Sequence, residues 1–323
     1  MNLLKQIHYP GRRTLDNLWN RLYWWAKTKS YEALPSQRTL IRHSNWDYLI
    51  ILDACRADYF AAEYTKFLPS SDLSFAYSAG RDTFEFLKRV FPDYYDLVYV
   101  SGATPVNSFV KSPIEDPFLK KYYGGYVPKE HFKRIVDAWN YGWDDDLGTV
   151  PPKEVTRIAA DIIKQHKEER IIIHYFQPHA PYIGEYKLLG YSGTEAGKLR
   201  GRPPDMKIWE NVKKGLISIA ELKKAYLSNL RLVLGEVKRL LNIIDSTKKV
   251  IITSDHGELL GEDGRFGHQR IDHPKLRVIP WLIIKREKEE PNNPTQKKEV
   301  SGRHQLNESF HKIMLNIKKK RRL

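Results

Sequence analysis

The run Val250-Ile251-Ile252-Thr253-Ser254-Asp255-His256-Gly257-Glu258 constrains this chain more than any other stretch. An apolar segment without polar alternation runs straight into an acid, a histidine and a glycine. A strand with one wet face alternates; a continuous apolar run belongs to a sheet covered on both faces, which is the habit of parallel sheets. In such sheets ligands gather just beyond the carboxyl ends of the strands. Asp255 and His256 stand there. A carboxylate beside an imidazole suits Zn, Mn or Fe as a ligand pair better than Ca. After a Gly-Glu-Asp-Gly turn, Gly261 to Gly264, comes His268.

Two further runs repeat the pattern. Tyr48 to Leu52 ends in Asp53, followed by Ala54-Cys55-Arg56. Ile171 to Phe176 leads into Gln177-Pro178-His179-Ala180-Pro181. Three predicted strands thus deliver Asp53, His179 and the Asp255-His256 pair to the same end. Strands are predicted at 47–53, 73–78, 96–101, 170–176, 249–254 and 278–284. Helices are predicted at 56–67, at 83–91, after Pro151-Pro152, and from Ile219 to Ile244, where apolar residues step by three and four. The alternation predicts an α/β fold: a mostly parallel, doubly wound sheet flanked by helices.

Within that frame Ser78 to Thr83 is a turn from a strand end to a helix start. A hydroxyl at a helix N-terminus meets free N–H groups and the positive end of the helix dipole, which favour both an anionic substrate and the alkoxide. Alone, these residues fit simple capping by Asp82 or Thr83, with Glu85 and Glu63 as surface charge. Together with Asp53 and Asp255-His256 they point to Thr83 as a nucleophile beside a metal.

The chain has 323 residues, 41% hydrophobic, with a formal charge of +15. That supports a sizeable core and an anionic partner: a phosphate or sulfate ester, or an anionic lipid surface. No zinc-finger spacing and no basic helix-turn-helix pattern marks a nucleic-acid module, so nucleic acid is not an expected partner. Cys55 is the single cysteine, which rules out an intrachain disulfide and fits a reducing compartment. No apolar signal core opens the chain, and no stretch reaches the ~20 apolar residues of a membrane-spanning helix. The expectation is a cytoplasmic protein, soluble or peripheral to a membrane. Residues 1–45 read as an aromatic, basic helical appendage, 46–285 as the catalytic domain, and 286–323 as a charged loop, a C-terminal helix and a basic tail. Leu15, Leu18, Trp19, Leu22 and Trp25 recur at helical spacing; the helix they form either packs on protein or rests on an anionic membrane. Tyr186 to Lys207 reads as a lid or substrate loop.

The segments Leu52-Asp53-Ala54-Cys55-Arg56-Ala57-Asp58, Gly80 to Thr83, Gln177-Pro178-His179-Ala180-Pro181-Tyr182 and Ser254 to Glu262 follow one another as in the sulfatase-like branch of the alkaline phosphatase superfamily. The Asp-His-Gly-Glu segment with His268 resembles most the phosphoethanolamine and phosphoglycerol transferases of that branch. The resemblance implies that Asp53, Thr83, Asp255 and His256 ligate one divalent transition metal, Mn or Zn. It implies that His179 and His268 line the substrate phosphate or hold a second metal, with His273 a competitor for His268. It implies a metal-dependent hydrolase or transferase acting on phosphate or sulfate esters through a phospho-threonine at Thr83. The alternative is a non-catalytic binding or scaffold protein of the same fold. Formylglycine sulfatases need a Cys-x-Pro/Ala-x-Arg motif; Tyr59 stands where that arginine would be, so Cys55 reads as a small buried residue. Arg56 reads as a contact to the substrate anion or as a helix-surface charge. His174 reads as a core or supporting histidine.

Overall fold

Residues 31, 33–69, 71–165, 170–189, 191–192 and 205–284 are described by a computed structural model. The aromatic N-terminal helix, the charged excursion from Lys285 and the basic tail lie outside the described residues.

The apolar runs form a seven-stranded sheet in the order β2-β11-β8-β1-β5-β3-β4. Its strands are β1 (Tyr48–Leu52), β2 (Asp72–Tyr77), β3 (Tyr95–Ser101), β4 (Phe132–Val136), β5 (Ile171–Tyr175), β8 (Val250–Thr253) and β11 (Val278–Ile284). The three runs singled out above are adjacent: β1 pairs in parallel with β5 on one side and β8 on the other, so Leu49 lies between Ile172 and Ile251. Only β11 runs against the rest. The expectation of a mostly parallel α/β sheet therefore holds.

Helices cover both faces, which is why the central strands need no polar alternation. One face carries Ile50, Leu52, Ile173 and Ile252, under α6 (Pro152–Gln165) and α8 (Ile219–Ile243). The other carries Leu49, Ile51, Ile172 and Ile251, under α1 (Gln37–His43) and α3 (Thr83–Val90). Each fully buried Leu or Ile contributes roughly 1.5–3 kcal/mol. The amphipathic run from Ile219 forms α8 over 25 residues, and a capping box starts it: Ser218 accepts from the Glu221 N–H, and Glu221 accepts from the Ser218 N–H.

Shorter elements complete the domain: α2 (Ala57–Glu63), α4 (Pro117–Tyr123), α5 (Ala138–Tyr141), α7 (Lys207–Lys213) and α9 (Pro274–Arg277), with the two-residue strands β6 (Tyr191–Ser192), β7 (Asp205–Met206), β9 (Leu259–Leu260) and β10 (Phe266–Gly267). Of these, α4 and the edge strand β4 escape the periodicity reading. β4 carries two consecutive exposed charges, Lys133 and Arg134, at the rim of the sheet. α4 does carry a local signal, Asp116 followed by Pro117: the Asp116 carboxylate accepts from the Phe118 and Leu119 N–H groups. In the segment read as a lid, β6 pairs with β7 in antiparallel fashion. Among the described residues no helix is long and apolar enough to cross a membrane.

Candidate active site

Four segments meet at the C-terminal edge of the sheet. β1 ends at Leu52 and presents Asp53; β8 ends at Thr253 and presents Asp255 and His256; β5 presents His174 within its last turn of pleat and His179 beyond it. The turn after β2 ends in α3, whose first residue is Thr83. Asp82, not Thr83, is the cap: its carboxylate accepts from the Glu85 N–H at 2.8 Å. That leaves the Thr83 hydroxyl free to donate to Asp255 Oδ2 at 2.7 Å, and it lies 3.5 Å from His256 Nε2.

The backbone is shaped to bring these groups together. Ala54 adopts a left-handed φ of 57°, unusual for a residue with a Cβ. The turn it makes aims the Ala54 N–H at Asp255 Oδ1, 3.1 Å away, where the His256 N–H also donates at 2.9 Å. Gly257 is required by close approach: a Cβ there would collide with the Lys275 carbonyl. The Ser254 hydroxyl accepts from the Cys55 N–H at 2.8 Å and ties the β8 loop to the β1 loop.

Asp53, His174 and Asp255 each place a ligand atom within 4.8 Å of the others. All three are buried. His174 Nε2 lies 3.9 Å from an oxygen of each carboxylate and makes no hydrogen bond among the described residues. Its other nitrogen, Nδ1, meets the Tyr99 hydroxyl at 2.9 Å. His256 Nε2 lies 3.3 Å from Asp255 Oδ2 and 3.6 Å from Asp53 Oδ1. His256 Nδ1 faces the Gly257 carbonyl at 2.8 Å; a carbonyl only accepts, so Nδ1 carries a hydrogen, and Nε2 is the nitrogen turned to the cluster.

His179 and His268 stand beside this cluster with their Nε2 atoms 3.0 Å apart. The His256 and His268 rings are 4.6 Å apart between centroids. His179 Nδ1 donates to its neighbour Ala180's carbonyl at 2.6 Å, so in neutral His179 Nε2 carries no hydrogen and turns its lone pair toward His268. Burial pushes the pKa of His174 and of His179 down to about 4, and that of His268 well below its ordinary value. All three are held in the neutral form that a ligand or a base requires.

This has a consequence for acid stability. A histidine whose folded pKa is lowered binds its proton mainly in the unfolded chain. The stability contributed by His174 and His179 is fully present above pH 6.5 and is lost as the pH falls toward 4. The loss is roughly 3 kcal/mol for each group. Thermal melts of chelator-treated protein from pH 7 to pH 4 should show a steep fall in Tm over that window; a flat profile would contradict the neutral, buried assignment.

Three solved structures illustrate the likeness in fold. The soluble domain of lipooligosaccharide phosphoethanolamine transferase A from Neisseria meningitidis is 14% identical, with a TM-score of 0.41, over 78% of this chain and 79% of its own. The phosphonate monoester hydrolase of Agrobacterium radiobacter is 15% identical, with a TM-score of 0.44, over 75% and 68%. The C-terminal periplasmic domain of EcEptC from Escherichia coli, in complex with Zn, is 13% identical, with a TM-score of 0.43, over 76% and 74%. No protein-family model and no curated protein sequence matches the chain.

The residues fit a transition metal on chemical grounds. Two carboxylates and two imidazoles converge in a buried space, and one of those nitrogens, His174 Nε2, is left without a hydrogen bond among the described residues. A buried polar atom without a partner costs about 1–3 kcal/mol, so such atoms mark places where something binds.

All six residues expected at the site are brought to one edge. Three other readings change. His174, read as a core or supporting histidine, lies between the two carboxylates. Its signal was a lone imidazole in an otherwise apolar strand. Arg56 reaches neither a substrate site nor the helix surface: it is 3% exposed and binds Asp58 at 2.8 Å and Glu262 at 2.7 Å. His273 has a role of its own: its Nδ1 caps α9 by accepting from the Lys275 N–H at 3.0 Å. Glu63 pairs with Lys66 and Arg231, and Glu85 with Arg81 and Arg89, so both serve as structural charges. Cys55 is buried, and burial pushes its thiol pKa well up, consistent with an inert packing role. Glu258 of the Asp-His-Gly-Glu segment is also fully buried; neither carboxyl oxygen has a hydrogen-bond partner among the described residues, and burial raises its pKa, which favours the neutral acid.

Proposed function

We propose that this chain is a metal-dependent enzyme that cleaves or transfers phosphate esters through a covalent phospho-threonine at Thr83. The observation that carries the reading is the Thr83 hydroxyl at the head of α3, 2.7 Å from Asp255 Oδ2 and 3.5 Å from His256 Nε2, beside the cluster that Asp255 forms with Asp53 and His174. Capping does not explain this placement, since Asp82 already caps the helix.

Asp53, His174, Asp255 and His256 would hold the metal, with Thr83 beside it. A divalent cation there supplies positive charge that favours the Thr83 alkoxide and the developing charge on the phosphoryl oxygens. The chain's own groups do the rest. Asp255 orients the Thr83 hydroxyl. The N-terminus of α3 turns its partial positive charge toward the anionic ester. Thr83, its proton released to solvent, attacks phosphorus as the opposite P–O bond breaks, and the departing alcohol takes up a proton from solvent. His179, with its Nδ1–H committed to Ala180, offers a lone pair at Nε2 and takes the proton from the water or alcohol that resolves the phospho-threonine. His268 Nε2 faces the same point and steadies that proton. Water gives hydrolysis and an alcohol gives transfer; the first half-reaction is shared.

The test uses the full chain stripped with chelator and resupplied with Mn or Zn. Chromogenic phosphate monoesters, phosphate diesters and sulfate esters are the substrates. Metal-restored cleavage of a phosphate ester is the expected result. Cleavage of the sulfate ester alone would reassign the substrate class, and a protein that binds no metal and cleaves nothing would overturn the reading.

A further inference from the structure

Gln37 opens α1, ahead of the first strand and inside the segment that reads from the sequence as an appendage. Its side chain is wholly buried. Nε2 donates to the Ser254 carbonyl at 2.6 Å, and Oε1 accepts from the Ala79 N–H at 3.1 Å. Ser254 immediately precedes Asp255. Ala79 begins the turn that ends at Thr83. One primary amide therefore joins the two loops whose side chains meet in the Thr83–Asp255 hydrogen bond.

A primary amide suits this task. It holds a donor and an acceptor in one plane, and both partners here are backbone groups. The clamp thus senses where the loops are, whatever side chains they carry. The Ser78 hydroxyl, which donates to the Asp255 carbonyl, ties the same two loops from within. Gln37 differs because a separate element brings it, and that element is anchored on its own account. Ile41 of α1 packs with Phe86 and Leu87 of α3. The Trp46 indole N–H donates to the Ile41 carbonyl at 2.9 Å, and the Tyr77 N–H donates to the Pro35 carbonyl at 2.9 Å. The amide is held from behind and reaches forward to both loops.

We infer that Gln37 is a positioning residue: by fixing the β8 loop against the Thr83 turn, it sets the geometry and affinity of the metal held by Asp53, His174, Asp255 and His256. The inference rests on the metal reading proposed above. Groups behind metal ligands commonly matter in this way, with losses of about 10–100-fold in affinity when they are removed.

Cobalt(II) gives a test independent of turnover, because its visible absorption reports the number and arrangement of its ligands. Chelator-stripped full-length protein is titrated with cobalt as wild type, Gln37→Leu, Gln37→Met and Val233→Ala. Val233 is buried on α8, under the other face of the sheet, so its variant measures general loss of stability. The expected result is about 10–100-fold weaker cobalt binding and a shifted band in both Gln37 variants. Their kcat on a chromogenic ester should fall with KM little changed, whereas Val233→Ala should melt earlier and keep the wild-type band and affinity. Leu and Met lose the same two hydrogen bonds but pack differently, so a shared spectral change identifies the bonds. A change in only one variant identifies packing and overturns the inference. Wild-type band and affinity in both Gln37 variants would overturn the clamp alone. A wild-type protein that binds no cobalt would overturn the metal reading and the clamp with it.

Discussion

Thr83→Ala should fold and bind metal yet lose turnover by on the order of 10⁴-fold or more, the scale seen when a covalent nucleophile is removed. The structural cost of the change is small. One hydrogen bond to Asp255 goes, worth about 1 kcal/mol net, and alanine is favourable in the first turn of a helix. Asp255 Oδ1 keeps its two backbone donors, Ala54 and His256. The loss should therefore appear in kcat, with Tm within a few degrees of wild type. Thr83→Ser retains a hydroxyl at the same place and should retain measurable turnover. Trapping substrate on wild type and digesting it should place the phosphoryl group on the peptide that contains Thr83. Full phosphoesterase activity in Thr83→Ala would sink the proposed mechanism.

Asp255→Asn should remove metal binding with little disturbance of the fold. The side-chain oxygen can stay where Oδ1 now accepts from Ala54 and His256. The amide nitrogen then replaces Oδ2, where Thr83 can accept from it in place of donating. Shape survives, but a negative ligand becomes a neutral donor facing the cation. The effect should exceed the ~10–100-fold losses typical of groups behind the ligands, so affinity should fall by more than about 10²-fold. Calorimetric titration of stripped protein with Zn would read it directly. The metal-free variant should melt close to metal-free wild type, since a buried charge flanked by His174 and His256 is traded for a neutral amide of equal size. Affinity equal to wild type would remove Asp255 from the ligand set.

Much of the site was legible because its chemistry sits at strand ends. An apolar run announces a buried parallel strand, and the residues just after it must lie at the ligand-binding edge. That reasoning places Asp53, His179, Asp255 and His256 without any knowledge of packing. The turn before Thr83 was legible as strand, glycine and helix start. What it could not show was which residue caps α3. Asp82 and Thr83 are both good caps, and only the folded chain shows Asp82 capping and the Thr83 hydroxyl turned to Asp255.

His174 and Arg56 were less legible, for a different reason. His174 is one residue short of the strand end, so its importance depends on which face of β5 it takes and on what stands across from it. It pairs in register with Ile51 on one side and Ser101 on the other. Arg56 is adjacent to the site in sequence, but Asp58 and Glu262 outweigh its burial, hold it charged and keep it occupied. Glu262 is far away in the chain. Such a capture has no local signal.

The sequence alone determined the sheet, its direction and the edge at which Asp53, His179, Asp255 and His256 gather, because hydrophobic periodicity and strand-end position are properties of neighbouring residues. Tertiary structure decided which of several plausible groups face one another: His174 between two carboxylates, Arg56 locked away, His273 turned to a helix end, and Gln37 reaching from an apparent appendage to hold two loops. Those outcomes depend on side-chain direction and on contacts between distant segments, and both are set only when the sheet has closed and its faces have been covered.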